Sequence, residues 1–190
     1  TNVGTTTEKN IAEAALLAGA EITLLGFETS DEVYETFIAG GCDITTTDGS
    51  ALVGRKAKQQ PADQEWVIFP ATPISKEPLG PTYGQNDSAW ADAVNWTVYA
   101  TIIADEYGIT SANVDDHVND EGEVGRLLGG DGELQTGMGL AADAFYQVIK
   151  QVGNYSEIYN RNLNPVGLVR EGSANAGWLD GGLIYSPPAR

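Results

Sequence analysis

Over roughly the first 85 residues, apolar positions alternate between helical spacing and short continuous runs. Ile11, Ala14, Ala15 and Ala18 share one helical face that stops at Gly19, and Thr5 with Glu8 forms a capping box ahead of them. Ile22 to Phe27 is an apolar run of strand length. Thr29-Ser30-Asp31-Glu32 is a second capping sequence, before a helix carrying Val33, Phe37 and Ile38 that ends at Gly40-Gly41. Cys42 to Asp48 is threonine-rich around Ile44 and β-prone. Ala51 to Gln59 reads as a short basic helix with Arg55, Lys56 and Lys58, and Trp66 to Phe69 as a further strand before Pro70 and Pro73. The resulting β-α-β-α-β-α-β order predicts an α/β unit with a mainly parallel sheet covered by helices.

The second half differs in kind. A helix is predicted from Asp87 or Ser88, with Trp90, Val94, Trp96, Val98, Ile102 and Ile103 as its apolar surface. Residues 108–140, crowded with glycines and acids, read as an irregular connection with one short helix near 123–128. Ala141, Phe145, Val148, Ile149 and Val152 recur at helical spacing up to Gly153. Tyr155 to Leu163 predicts another helix, and the Gly- and Pro-rich tail from Pro165 a surface-wrapping extension. Apolar helices need a layer to pack on, and this half supplies almost no strand of its own.

Composition narrows the function classes. Of the 190 residues 42% are hydrophobic, enough for a packed core, and no apolar run is long enough to span a membrane. A formal net charge of -17 repels phosphate backbones and anionic lipid, so neither nucleic acid nor a membrane surface is an expected partner. The same acidity is what a soluble surface needs. Cys42, the single cysteine, excludes an internal disulfide or a multi-Cys zinc site. The chain opens on Thr1-Asn2-Val3-Gly4 with no Met and no basic-then-apolar leader, which points to a processed, engineered or truncated start.

Gly4-Thr5-Thr6-Thr7-Glu8 lies at a predicted strand-to-helix junction, where unpaired backbone N–H groups and threonine hydroxyls can seat an anion. An ordinary cap serving only its own helix reads from the same residues. Asp48 sits at the carboxyl end of a predicted parallel strand, the rim on which ligands bind in open α/β sheets. It reads equally as an N-cap. Taken together, anion-binding donors and one carboxylate match a zwitterion.

Those two features, with Gly40-Gly41-Cys42-Asp43, Ile74-Ser75-Lys76-Glu77-Pro78-Leu79-Gly80-Pro81, Gly108-Ile109-Thr110-Ser111-Ala112-Asn113-Val114, Lys150-Gln151-Val152-Gly153-Asn154-Tyr155 and Trp178-Leu179-Asp180-Gly181-Gly182-Leu183, resemble the periplasmic amino acid-binding proteins of ABC transporters. These are the family 3 solute-binding proteins, and the likeness is to the general L-amino acid-binding branch over essentially the whole chain. The resemblance implies a type II periplasmic binding protein-like clamp. Residues 1–84 would be its second, ligand-binding lobe, and residues 85–190 the helical returning part of the first lobe plus an extension. It implies that Thr6 and Thr7 contact the ligand carboxylate, that Thr5 caps the helix beside them, and that Asp48 takes the α-ammonium. It also implies a periplasmic location, ABC permease subunits as partners, and no cofactor. The family's arginine clamp has no counterpart, since none of Arg55, Arg126, Arg161, Arg170 or Arg190 stands in the matching context. Most of one lobe is thus expected to be missing, and Cys42 is expected to pair with a cysteine upstream of the first matching strand.

Other motifs fail their context. Gly137 to Ala142 fits G-x-G-x-x-A but follows no predicted strand, so a dinucleotide site is not expected. Asn119 to Gly122 and Asp131-Gly132 lack the spacing of a calcium loop. His117 reads as a solvated side chain, an ion pair of Glu121 or Glu123 with Arg126 as a surface feature, and Trp90, Trp96 and Tyr99 as helix core. The sequons at Asn86, Asn95 and Asn154 carry no expectation of glycosylation in a bacterial envelope protein. No nucleophile elbow accompanies the lone histidine, and the family resemblance implies a binding protein rather than an enzyme. An amino-acid-sensing module and a dehydratase-type enzyme on the same fold are the alternatives.

Overall fold

A computed structural model describes residues 1–129 and 132–190; Asp131 of the Asp131-Gly132 motif lies outside the described residues. The chain forms two compact units, Thr1–Leu79 and Gly80–Arg190.

The first unit carries three helices: α1 (Thr6–Ala18), α2 (Ser30–Ile38) and α3 (Gly49–Gln59). The starts of α1 and α2 follow the capping chemistry of the sequence. Thr5 Oγ1 accepts the Glu8 N–H, and Thr29 and Glu32 close a complete capping box. Gly19, in the left-handed region, turns its N–H back on α1 and ends it. Val33, Tyr34 and Trp66 form the small buried centre, with the Phe37 ring 5.0 Å from Trp66 and the Arg55 guanidinium stacked on Tyr34 at 4.8 Å.

The mainly parallel sheet expected between these helices is not formed. Among the described residues of this unit, pairing is limited to one parallel bridge, Asn2 with Phe27, closed by Val3 N–H to Phe27 O and Phe27 N–H to Thr1 O, each 3.0 Å. Apart from Phe27, the runs at 22–27, 42–48 and 66–69 form no strand pairing, and Ile22, Leu24, Ile44, Val67 and Phe69 stay exposed, Val67 by 70%. The physical reason is that β-propensity and apolar patterning record what a segment would bury. They do not supply the neighbour whose N–H and C=O groups complete a ladder.

The second unit is built from helices: α4 (Ser88–Glu106), α5 (Gly122–Leu128), α6 (Glu133–Gly137), α7 (Ala144–Val152) and α8 (Tyr155–Leu163). Ala100, Ile103 and Ala104 of α4 meet Phe145 and Ile149 of α7 in one buried cluster. The stretch expected to be an irregular connection contributes several side chains to the core. Val114, Leu127 and Leu128 are fully buried, and Gly125 is required because a Cβ there would lie 1.9 Å from the Asp120 carbonyl oxygen. Gln135 is buried too, its Nε2 donating to Leu127 O at 2.7 Å. Of the aromatic cluster, Trp96 packs against the core and meets Tyr99 edge-to-face at 5.7 Å, whereas Trp90 is exposed.

Polar ties fix the rest of this unit. Asn154 N-caps α8, accepting the Glu157 N–H at 2.9 Å while its Nδ2 donates to Ile109 O at 2.8 Å. Glu157 in turn accepts from the backbone and hydroxyl of Ser111. Asn154→Ala removes the cap and strands a buried carbonyl, so it is expected to cost about 1–2 kcal/mol. Urea unfolding checks this, and a loss under a few tenths of a kcal/mol would contradict it. The tail is held by Arg170, which is paired with Asp105 at 2.7 Å, stacked on Tyr155 at 5.0 Å, and donates to Asn175 O. Glu123 accepts from Tyr107 Oη and from the Ala189 N–H, and Arg126 Nε donates to Ala189 O, so the ion pair expected between this acid and Arg126 is replaced by contacts to the tail.

Candidate functional site

Four residues were singled out by sequence: Thr5, Thr6, Thr7 and Asp48. All lie in the first unit, at helix N-termini. Gly4, with a positive φ of 71°, turns the chain from the Asn2–Phe27 bridge into α1. Thr5 then uses its hydroxyl locally. Its oxygen accepts from Glu8 N–H at 3.3 Å and its proton goes to Asn2 O at 2.8 Å. The Glu8 carboxylate reaches back to the Gly4 N–H at 2.8 Å.

A helix start leaves several N–H groups without intrahelical acceptors. Here those of Gly4 and Glu8 are taken, which leaves Thr6 and Thr7 at the positive end of α1. Thr6 is exposed and Thr7 half-buried. These two amides and hydroxyls form the part of the junction open to an anion.

Asp48 stands at the N-cap of α3, but its side chain makes no capping hydrogen bond. Its backbone carbonyl accepts from Leu52 N–H at 2.9 Å, while the half-buried carboxylate has no hydrogen-bond or ion-pair partner among the described residues. The N-cap reading therefore holds for the backbone and not for the carboxylate. Thr5, Thr6 and Thr7 share one helix start, and Asp48 heads another. No hydrogen bond joins the two sets among the described residues.

Asn2 is the residue that sequence reading missed. Its Nδ2 donates to Glu28 O at 3.4 Å, its Oδ1 accepts the Ser30 hydroxyl at 3.2 Å, and its carbonyl accepts from Thr5. It thereby ties the starts of α1 and α2 together. The signal was absent from any local window because Glu28 and Ser30 lie 26 and 28 residues away.

The remaining candidates do not assemble chemistry. His117 Nδ1 faces Asp120 Oδ2 at 2.7 Å, so the histidine has a partner rather than being simply solvated. Among the described residues no group of three His, Cys, Asp or Glu side chains is placed to hold a metal ion, and no helix is long and apolar enough to cross a membrane. Cys42 is a half-buried free thiol, and burial pushes its pKa up.

No family model matches the chain. It is 42% identical over 193 aligned residues to the general L-amino acid-binding periplasmic protein AapJ of Rhizobium johnstonii, covering 98% of this chain and 55% of that protein. It is 39% identical to the glutamate/glutamine/aspartate/asparagine-binding protein BztA of Rhodobacter capsulatus, covering 98% and 56% respectively. The chain thus spans about half the length of the curated relatives it matches. Among solved structures it superposes with a TM-score of 0.90 and 42% identity on an ABC transporter/periplasmic binding protein from Brucella ovis with glutathione bound, covering all of this chain and 60% of that one. By sequence and by fold, the chain is a homologue of the periplasmic amino acid-binding proteins of ABC transporters.

Proposed function

We propose that the chain supplies a ligand-binding lobe of a two-lobed clamp that captures free L-amino acids in the periplasm and hands them to an ABC permease. Residues 1–84 are the ligand-binding lobe in this reading, and residues 85–190 the returning part of the other. The amides and hydroxyls of Thr6 and Thr7 receive the α-carboxylate, Asp48 receives the α-ammonium, and Thr5 holds the helix start in shape. One observation carries the reading: in a homologue of amino acid-binding proteins, the Asp48 carboxylate has no partner among the described residues, while the start of α1 leaves the Thr6 and Thr7 amides without one there. A carboxylate free of internal partners suits an incoming ammonium, and a helix N-terminus suits the opposite charge.

The chemistry is holding, not turnover. Closure of a lobe pair on its ligand stabilises the closed state because the ligand bonds to both sides only there. The glutathione held by the Brucella ovis protein widens the ligand class, because its glutamyl end presents the same free α-amino and α-carboxyl groups. Incubation with L-glutamate, L-glutamine or glutathione is expected to return each ligand chemically unchanged, as read by mass spectrometry. Conversion of any of them would contradict the binding reading and favour a dehydratase-type enzyme.

A further inference from the structure

Asn2 engages α1 through its backbone and α2 through its side chain. Its carbonyl accepts the Thr5 hydroxyl at 2.8 Å, and that hydroxyl's oxygen caps α1 by accepting the Glu8 N–H. Its amide spans the entry to α2: Nδ2 donates to Glu28 O at 3.4 Å, and Oδ1 accepts the Ser30 hydroxyl at 3.2 Å. A donor and an acceptor on one short side chain suit asparagine, because aspartate would face the Glu28 carbonyl with a second acceptor. The two segments approach closely here, since a Cβ on Gly26 would lie 2.5 Å from Val3 Cγ1.

The same turn of α2 is tied to α3. Arg55 Nη1 donates to Asp31 Oδ1 at 2.9 Å while its guanidinium stacks on Tyr34. Ser30 and Asp31 are adjacent residues, one tied to the start of α1 and the other to the helix that Asp48 heads. A ligand whose opposite charges lie a fixed distance apart needs both of its seats held in register. Hydrogen bonds behind the contacting groups are what hold such seats.

We propose that Asn2 is a positioning residue of the amino acid site, setting the Thr6 and Thr7 donors against the first turn of α2. It acts through Thr5 and Ser30, not on the ligand. The inference rests on the reading of Thr6, Thr7 and Asp48 as the amino acid site, and all of these residues belong to Thr1–Leu79.

Ser30→Ala separates positioning from folding. It deletes the hydroxyl bonded to Asn2 and leaves the Thr29–Glu32 capping box in place, with a better helix former at an exposed position. The test is ¹⁵N NMR of the 190-residue chain, without ligand and titrated with L-glutamate, together with urea unfolding. Without ligand, the Thr6 and Thr7 amides are expected to move in Ser30→Ala and in Asn2→Ala, and to return in Ser30→Thr. With L-glutamate, the apparent Kd should rise about two- to tenfold in Ser30→Ala, the span of one net hydrogen bond. The urea midpoint should stay unchanged, and Ser30→Thr should restore the affinity. Asn2→Ala combined with Ser30→Ala should bind no more weakly than Asn2→Ala alone, because both cut one path. Thr6 and Thr7 amides that stay in place in Ser30→Ala, an unchanged Kd in that variant, or a loss that Ser30→Thr does not restore would overturn the proposal. A wild-type chain that takes up no L-glutamate would instead contradict the amino acid reading, and the ligand-free shifts then decide the Asn2 tie by themselves.

Discussion

Phe145→Ala is expected to lower the stability of the second unit by about 3–5 kcal/mol, the largest folding effect of any single change considered. Phe145, on α7, is fully buried in one cluster with Ile103 of α4, Leu127 and Leu128 of α5, and Ile149. Removing the ring loses its transfer free energy and leaves a cavity that this cluster can fill only by moving several elements together. The unit has no hydrogen-bonded sheet among its described residues to hold those elements apart while the core relaxes. Hydrogen exchange at the Leu127 and Ile149 amides in urea reads the effect locally. A loss below about 1 kcal/mol would show that the cluster is not the centre of the unit's stability.

Asp48→Ala is the change expected to act most strongly on binding. In a protein where both lobes close over the ligand, truncation leaves the ammonium desolvated and without its counter-charge, at a cost of about 2–5 kcal/mol. The same substitution should barely affect folding, within about 0.5 kcal/mol, because the Asp48 side chain makes no capping bond and has no partner among the described residues. That split separates a ligand role from a structural one. Thermal unfolding and calorimetric titration with L-glutamate give the two numbers. An unchanged affinity would remove Asp48 from the site, and a large loss of stability would show that it serves the fold.

What could be read from the sequence divides along physical lines. Helix starts were legible because a cap is a local transaction: Thr5 with Glu8 and Thr29 with Glu32 lie within one turn of each other. The sheet was not, because strand-forming residues such as those from Ile22 to Phe27 state a preference and leave the partner strand unspecified. In residue terms, Leu24, Ile44 and Val67 have the right side chains but not the paired neighbours. Residues 108–140 were legible in part: the short helix expected near 123–128 is α5, but its place in the core was not foreseen. Their glycines suggested a loose connection, yet Gly125 lets α5 approach the Asp120 carbonyl closely and so bury Leu127 and Leu128. Of the candidate site, the open donors at α1 were visible locally, while the Asn2 tie to α2 depends on contacts made only after folding.

The central claim is that Thr6, Thr7 and Asp48 form one half of a zwitterion site. An NMR titration of the 190-residue chain with L-glutamate tests it most directly, with N-acetyl-L-glutamine amide as a control lacking both charged groups. Weak, saturable shifts are expected, confined to the amides of Thr6, Thr7 and the start of α3, absent with the control and lost in Asp48→Ala. Shifts elsewhere in the chain with none at these residues would contradict it, as would micromolar or tighter binding that survives Asp48→Ala.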